Sequence, residues 1–151
     1  MGDYRAIAAC LKGFRSNKGE PGSAGLDPPR PLPGSHVSTH TTGGVKYQLV
    51  RPGTHTSPPS CIVVYAFGGG FVAGSPDQYL NLTSRIAREG KCWVAVPYYS
   101  LNTPYPLPVR QILTVARALR QEHKGARMYV GGDSAGGTIA IGAALTAPTL
   151  F

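Results

Sequence analysis

Ser134 is the residue of this chain best placed to do chemistry. It lies in Gly132-Asp133-Ser134-Ala135-Gly136, a Gly-x-Ser-x-Gly pattern. A serine hydroxyl is a weak nucleophile, so it needs an exposed position, a base to take its proton, and N–H donors for the oxyanion that its attack creates. The flanking residues speak to the first and last of these needs. Before the pattern runs the apolar Met128-Tyr129-Val130, which reads as a short strand; after it, the small-residue stretch Thr138 to Leu145 reads as a helix. That order, strand, serine turn, helix, is the context of a nucleophile elbow, in which a strained turn lifts the serine above the end of a sheet. Gly132 and Gly136, two residues either side, leave room for strand and helix to approach closely. The helix N-terminus behind Ser134 offers free N–H groups and the positive end of its dipole. Gly and Ser are common, so the bare pattern is weak evidence; the ordered context is what separates it from a loop.

A second motif stands upstream. Ser60-Cys61-Ile62-Val63-Val64-Tyr65-Ala66 is a continuous apolar, β-rich run, the pattern of a strand buried on both faces. It leads into Phe67-Gly68-Gly69-Gly70-Phe71, where three glycines let backbone N–H groups point into a cleft with no Cβ in the way. Taken alone, this segment is as well read as a flexible loop. Ahead of a serine elbow it reads as the other half of an oxyanion hole.

These two motifs, with Tyr99-Ser100-Leu101 and the following Pro104-Tyr105-Pro106, give the chain its resemblance to a known family. Over roughly residues 35–147 it resembles the hormone-sensitive-lipase-like branch of the α/β-hydrolases. The resemblance implies that Ser134 is the nucleophile, that the N–H groups of Gly69, Gly70 and Ala135 form the oxyanion hole, and that Gly68, Gly132 and Gly136 are supporting glycines. The family usually has His where this chain has Phe67, and that His braces the glycine loop by a hydrogen bond that Phe cannot make. The segment after Tyr99 is also shorter than usual and lacks the family's Ala-Pro-Glu. The implied function is a serine ester hydrolase, carboxylesterase- or lipase-like, acting on small acyl esters through an acyl-enzyme.

In that fold the triad follows the chain order Ser, Asp or Glu, His. From Ala135 to Phe151 there is no Asp, Glu or His. The four histidines lie elsewhere. His123 precedes the strand at Arg127–Val130 and so sits at its far end, roughly 20 Å from Ser134 at ~3.3 Å per residue. His55 belongs to the connection Pro52–Ser60, and His36 and His40 to a first hairpin at the far edge of the sheet. A general base must come within ~3 Å of the hydroxyl. The expectation is therefore the N-terminal half of an α/β-hydrolase domain, apparently truncated after the elbow helix and weak or inactive alone, since loss of a triad base costs many orders of magnitude. A non-catalytic small-molecule-binding module and an inactive fragment are the alternatives.

The elements that would position these residues follow from pattern. Residues 1–34 hold a possible helix, Tyr4–Phe14, and a Pro/Gly-rich flexible segment; residues 35–151 form the domain. His36–Thr41 and Val45–Val50 predict a hairpin around Gly43-Gly44. Ser75-Pro76-Asp77-Gln78 predicts a capped helix start, with Ser75 as N-cap and Gln78 closing a capping box, the helix running to about Glu89 and stopping at Gly90. Cys92–Val96 predicts a buried strand. Leu107–Gln121 predicts a helix whose Val109, Ile112, Leu113, Ala116 and Leu119 face the core, with Arg110, Arg117 and Arg120 outside. Strands alternating with helices predict an α/β fold with a mostly parallel sheet and flanking helices, its active site at the strands' C-terminal ends. A strand at Arg127–Val130 with one side unpaired predicts a marginal or molten chain, or self-association through that edge.

Composition excludes more than it assigns. The formal net charge is +8, but the basic residues are scattered, so no nucleic-acid partner is expected. No long apolar run predicts a signal peptide or a membrane span. Of Cys10, Cys61 and Cys92, two fall in predicted buried strands, which reads as reduced core thiols in a cytoplasmic protein. No Cys/His pair has metal-ligand spacing, so neither metal nor cofactor is expected.

Overall fold

The computed structural model describes residues 29–53 and 58–151. The possible helix at Tyr4–Phe14 and His55 lie outside them. Among the described residues, β1 (Ser35–Thr42) and β2 (Val45–Pro52) form the expected hairpin, turning through Gly43 and Gly44, both with positive φ. β3 (Cys61–Ala66), β4 (Trp93–Pro97) and β5 (Arg127–Gly132) follow, alternating with α1 (Leu80–Gly90) and α2 (Leu107–Glu122), and α3 (Ala135–Thr146) comes last.

The five strands make one sheet in the order β1-β2-β4-β3-β5. β3 runs parallel to both β4 and β5, whereas β1–β2 and β2–β4 are antiparallel. The sheet is thus mixed, parallel where α/β alternation dictates it and antiparallel where the hairpin joins. Ile62, Val64, Val94, Ala95 and Val96 of the central strands are buried, as continuous apolar runs require of strands covered on both faces. Neighbouring residues of β2 show the two covers. Gln48 hydrogen bonds Asp77 at 3.1 Å ahead of α1, while Tyr47 and Leu49 line a pocket with Leu119 of α2. The predicted stripe of α2 is buried in full, from Val109 to Leu119.

Two local expectations, both at helix starts, need correction. The helix after Ser75 begins as a 3₁₀ turn, Pro76–Tyr79, and the Ser75 side chain makes no capping bond. Instead Gln78 N–H donates to the Ser75 carbonyl at 3.2 Å. Pro76 and Tyr79 are both buried, so tertiary packing sets this turn rather than its cap. At its other end α1 stops at Gly90 as expected, and Lys91 after it takes the left-handed conformation, with φ 51°. The last helix starts at Ala135, before the expected Thr138, because Gly136 and Gly137 enter it.

The thiol expectation is also overturned: Cys61 and Cys92 form a disulfide. The register explains it. Ile62 pairs with Trp93 between parallel strands, so the residue before each is also a neighbour, with Cα atoms 4.8 Å apart. That lies within the span a disulfide bridges. Counting cysteines does not reveal a pairing that depends on strand register.

Candidate active site

Sheet register brings the two glycine motifs together. β3 and β5 are adjacent and parallel, with Ala66 opposite Gly132, so the loop after β3 and the turn after β5 leave the same edge side by side. Ser134 is exposed at that turn, with φ 50° and ψ −121°, a conformation most L-residues avoid. Close packing around the turn depends on the flanking glycines. A Cβ at Gly132 would lie 2.5 Å from the Ala66 carbonyl oxygen, and one at Gly136 would collide with the Ala66 and Phe67 carbonyls. α3 can therefore begin directly behind Ser134, its first N–H groups pointing back toward the serine as helix geometry dictates.

Past Ala66, Phe67 and Gly68 are buried while Gly69 and Gly70 are exposed. Gly69 has φ 140° and Gly70 φ 65°, and a Cβ at Gly69 would collide with the Ala73 carbonyl. The N–H groups of Val72 and Ala73 both donate to the Gly69 carbonyl, folding the loop into a tight turn. Among the described residues, the N–H groups of Gly69 and Gly70 have no acceptor.

What holds the loop is a network that motif reading passed over. Asp133, next to Ser134, accepts hydrogen bonds from Gly68 N–H at 2.9 Å, from the Tyr65 hydroxyl at 3.1 Å and from the Tyr79 hydroxyl at 3.0 Å. The Gly68 N–H is shared with the Tyr79 hydroxyl oxygen, also at 2.9 Å. Tyr99 donates its hydroxyl to the Phe67 carbonyl at 2.6 Å. One carboxylate thus ties the serine turn to the glycine loop. Phe67 stacks on Tyr99 with ring centroids 4.3 Å apart and leans against Tyr79 at 6.0 Å. Where the resembled family braces this loop through a histidine, Phe67 does so by packing, and Tyr79 and Tyr99 supply the hydrogen bonds. Burial, and then the Asp133 charge, raises the pKa of both tyrosines; Tyr99 is pushed up to about 12. Both hydroxyls therefore stay protonated and able to donate. The sequence signal for Asp133 is its place between Gly132 and Ser134, and Tyr99 opens the Tyr99-Ser100-Leu101 motif; nothing in local pattern marks Tyr65 or Tyr79 for this network.

The described histidines do not converge on Ser134. His36 and His40 lie on β1, four strands from β5 and so roughly 19 Å away across the sheet. His123 follows α2 and meets the Trp93 ring edge-on, 5.0 Å between centroids, where β4 begins. That is the end of the sheet opposite Ser134.

A pocket of about 370 Å³ is walled by Phe71 of the glycine loop, Tyr105, Val109 and Ile139. No helix among the described residues is long and apolar enough to cross a membrane.

Comparison with known proteins agrees with this architecture. The α/β-hydrolase fold family matches residues 63–149. A bacterial heroin esterase is 27% identical with a TM-score of 0.70, over 96% of this chain and 46% of its own. The hyperthermophilic esterase of the archaeon Pyrobaculum calidifontis is 27% identical with a TM-score of 0.67, over 80% and 41%. An esterase/lipase from an uncultured bacterium, 23% identical with a TM-score of 0.72 over 95% and 53%, shares the fold. The chain spans about half the length of these structures. None of the curated protein sequences matches it. With the family match covering both the glycine loop and the serine turn, the chain belongs to the α/β-hydrolase fold family.

Proposed function

We propose that this chain carries the nucleophile and oxyanion half of a serine ester hydrolase of the hormone-sensitive-lipase-like branch. Ser134 attacks the ester carbonyl; Gly69, Gly70 and Ala135 donate N–H groups to the oxyanion; the alcohol leaves and the acyl-enzyme is hydrolysed. The observation that carries this reading is the juxtaposition of a strained, exposed Ser134 with two unpaired glycine N–H groups, locked together through Asp133. Gly68, Gly132 and Gly136 serve by letting backbones approach. The esterases that share the fold support an ester as the small-molecule substrate.

The positions of the described histidines favour an incomplete site, and with it the second reading of a small-molecule-binding module. Exogenous imidazole separates the two. It should accelerate p-nitrophenyl acetate hydrolysis by this chain above the level in a Ser134→Ala variant, because it stands in for the missing base. Equal rates for both proteins at every imidazole concentration would remove Ser134 from the chemistry and leave the binding module.

A further inference from the structure

The pocket between the glycine loop, α2 and α3 has a size and lining that select what it holds. Its volume is about 370 Å³, and its walls come from four segments: Phe71 of the glycine loop, Thr103 and Tyr105 after β4, Val109 of α2, and Thr138 and Ile139 of α3. Val109 and Ile139 are buried and make an aliphatic floor, while Tyr105 is 75% exposed and Phe71 39% exposed. No charged side chain lines it. Two of its lining residues adjoin the proposed site along the chain. Thr138 stands one helical turn past Ser134, its N–H donating to the Ser134 carbonyl at 3.2 Å, and Phe71 directly follows Gly70. A dry apolar cavity of about 150 Å³ already holds a benzene ring, so this one has room for a ring and a short linker. It lies at the small end of ligand pockets generally, too small for a long acyl chain and a second bulky group together.

We infer that this pocket is a subsite for an uncharged, ring-sized apolar substituent of the ester, with Thr138 and Tyr105 setting its size at the mouth. The inference rests on the proposed ester-hydrolase reading for its substrate class but not on Ser134 reactivity for its test. Either the acyl or the alcohol side of an ester can present such a ring, and two probes distinguish them: methyl phenylacetate carries it on the acyl side and benzyl acetate on the alcohol side.

The experiment follows the Val109 and Ile139 methyl resonances of the Ser134→Ala chain during titration with each probe and with methyl acetate. Saturable shifts are expected from at least one ring-bearing ester and none from methyl acetate. Thr138→Phe, a change at an exposed rim position, should fill the mouth and weaken binding by about tenfold or more, the scale set by burying one aromatic group. Tyr105→Ala, also at an exposed position, should weaken ring binding without disturbing the Gly68 amide resonance. No saturable shift from either ring-bearing ester, or undiminished binding in Thr138→Phe, would overturn the inference. Labelling of Ser134 by a small ethyl fluorophosphonate is read separately, so failure of the nucleophile and failure of the pocket give different results.

Discussion

Replacing Asp133 by alanine should loosen the glycine loop while leaving the rest of the sheet intact. The carboxylate accepts three hydrogen bonds, from Gly68 N–H and the Tyr65 and Tyr79 hydroxyls. Bonds to a charged acceptor contribute about 1.5–3 kcal/mol each, so the gross loss is about 5 kcal/mol or more. Much of it returns. Gly68 N–H keeps the Tyr79 hydroxyl at 2.9 Å, and water can reach the gap because Asp133 is only partly buried and Ser134 beside it is exposed. A net local loss of about 2 kcal/mol remains, equivalent to about thirtyfold faster opening. Amide hydrogen exchange reads this directly. The Gly68 amide should exchange about thirtyfold faster in Asp133→Ala, while amides paired between β1 and β2, at the far edge, keep their rates. Tyr65→Phe removes one of the three bonds and should give a few-fold change. An unchanged Gly68 rate would refute the bracing role; an equal rise in the hairpin would show that Asp133 supports the whole fold instead of the loop.

Three further outcomes are expected. The unfolded chain loses tyrosine protons near pH 10, whereas folded Tyr99 holds its proton to about 12 and Tyr79 is raised as well, so stability falls as pH rises from 10 toward 12, by about 1.4 kcal/mol per unit for each tyrosine. Urea midpoints between pH 8 and 11 should show this, and Tyr99→Phe should flatten the decline; an unaltered slope would contradict the assignment. Thiol titration of the denatured, unreduced chain should find Cys10 alone reactive, and three reactive thiols would rule out the Cys61–Cys92 bond. Among the described strands β5 has a neighbour on one side only, and Tyr129, Ile141 and Leu145 are 44%, 64% and 78% exposed. We propose that this edge drives self-association, so sedimentation should show species that grow with concentration and shrink in Tyr129→Lys; a monodisperse monomer at high concentration would contradict it.

Sequence pattern was most legible where local and global demands agree. The apolar run Ser60–Ala66 holds β3, Cys61–Ala66, to within one residue, and the stripe of α2 is buried from Val109 to Leu119. Gly-x-Ser-x-Gly between strand and helix marked the turn whose Ser134 has the unusual φ. Features set by distant contacts stayed hidden. Ser75 has an N-cap's sequence context, yet the turn it starts is shaped by the burial of Pro76 and Tyr79. The Cys61–Cys92 bond depends on register between strands separated by a helix. Asp133, Tyr65, Tyr79 and Tyr99 converge from four segments, and only the folded sheet shows that Phe67 is braced by their neighbourhood in place of a histidine.

We propose that Ser134 is a positioned nucleophile and that no histidine among the described residues reaches it as a base. Intact-mass analysis after treatment with an ethyl fluorophosphonate, with and without imidazole, tests both halves, using Ser134→Ala as control. One adduct is expected, mapped to Ser134, that forms slowly alone, faster with imidazole, and not at all in the variant. Rapid labelling without imidazole would mean a base already reaches Ser134. Absence of any Ser134 adduct in folded protein, even with imidazole, would mean that the serine is no nucleophile.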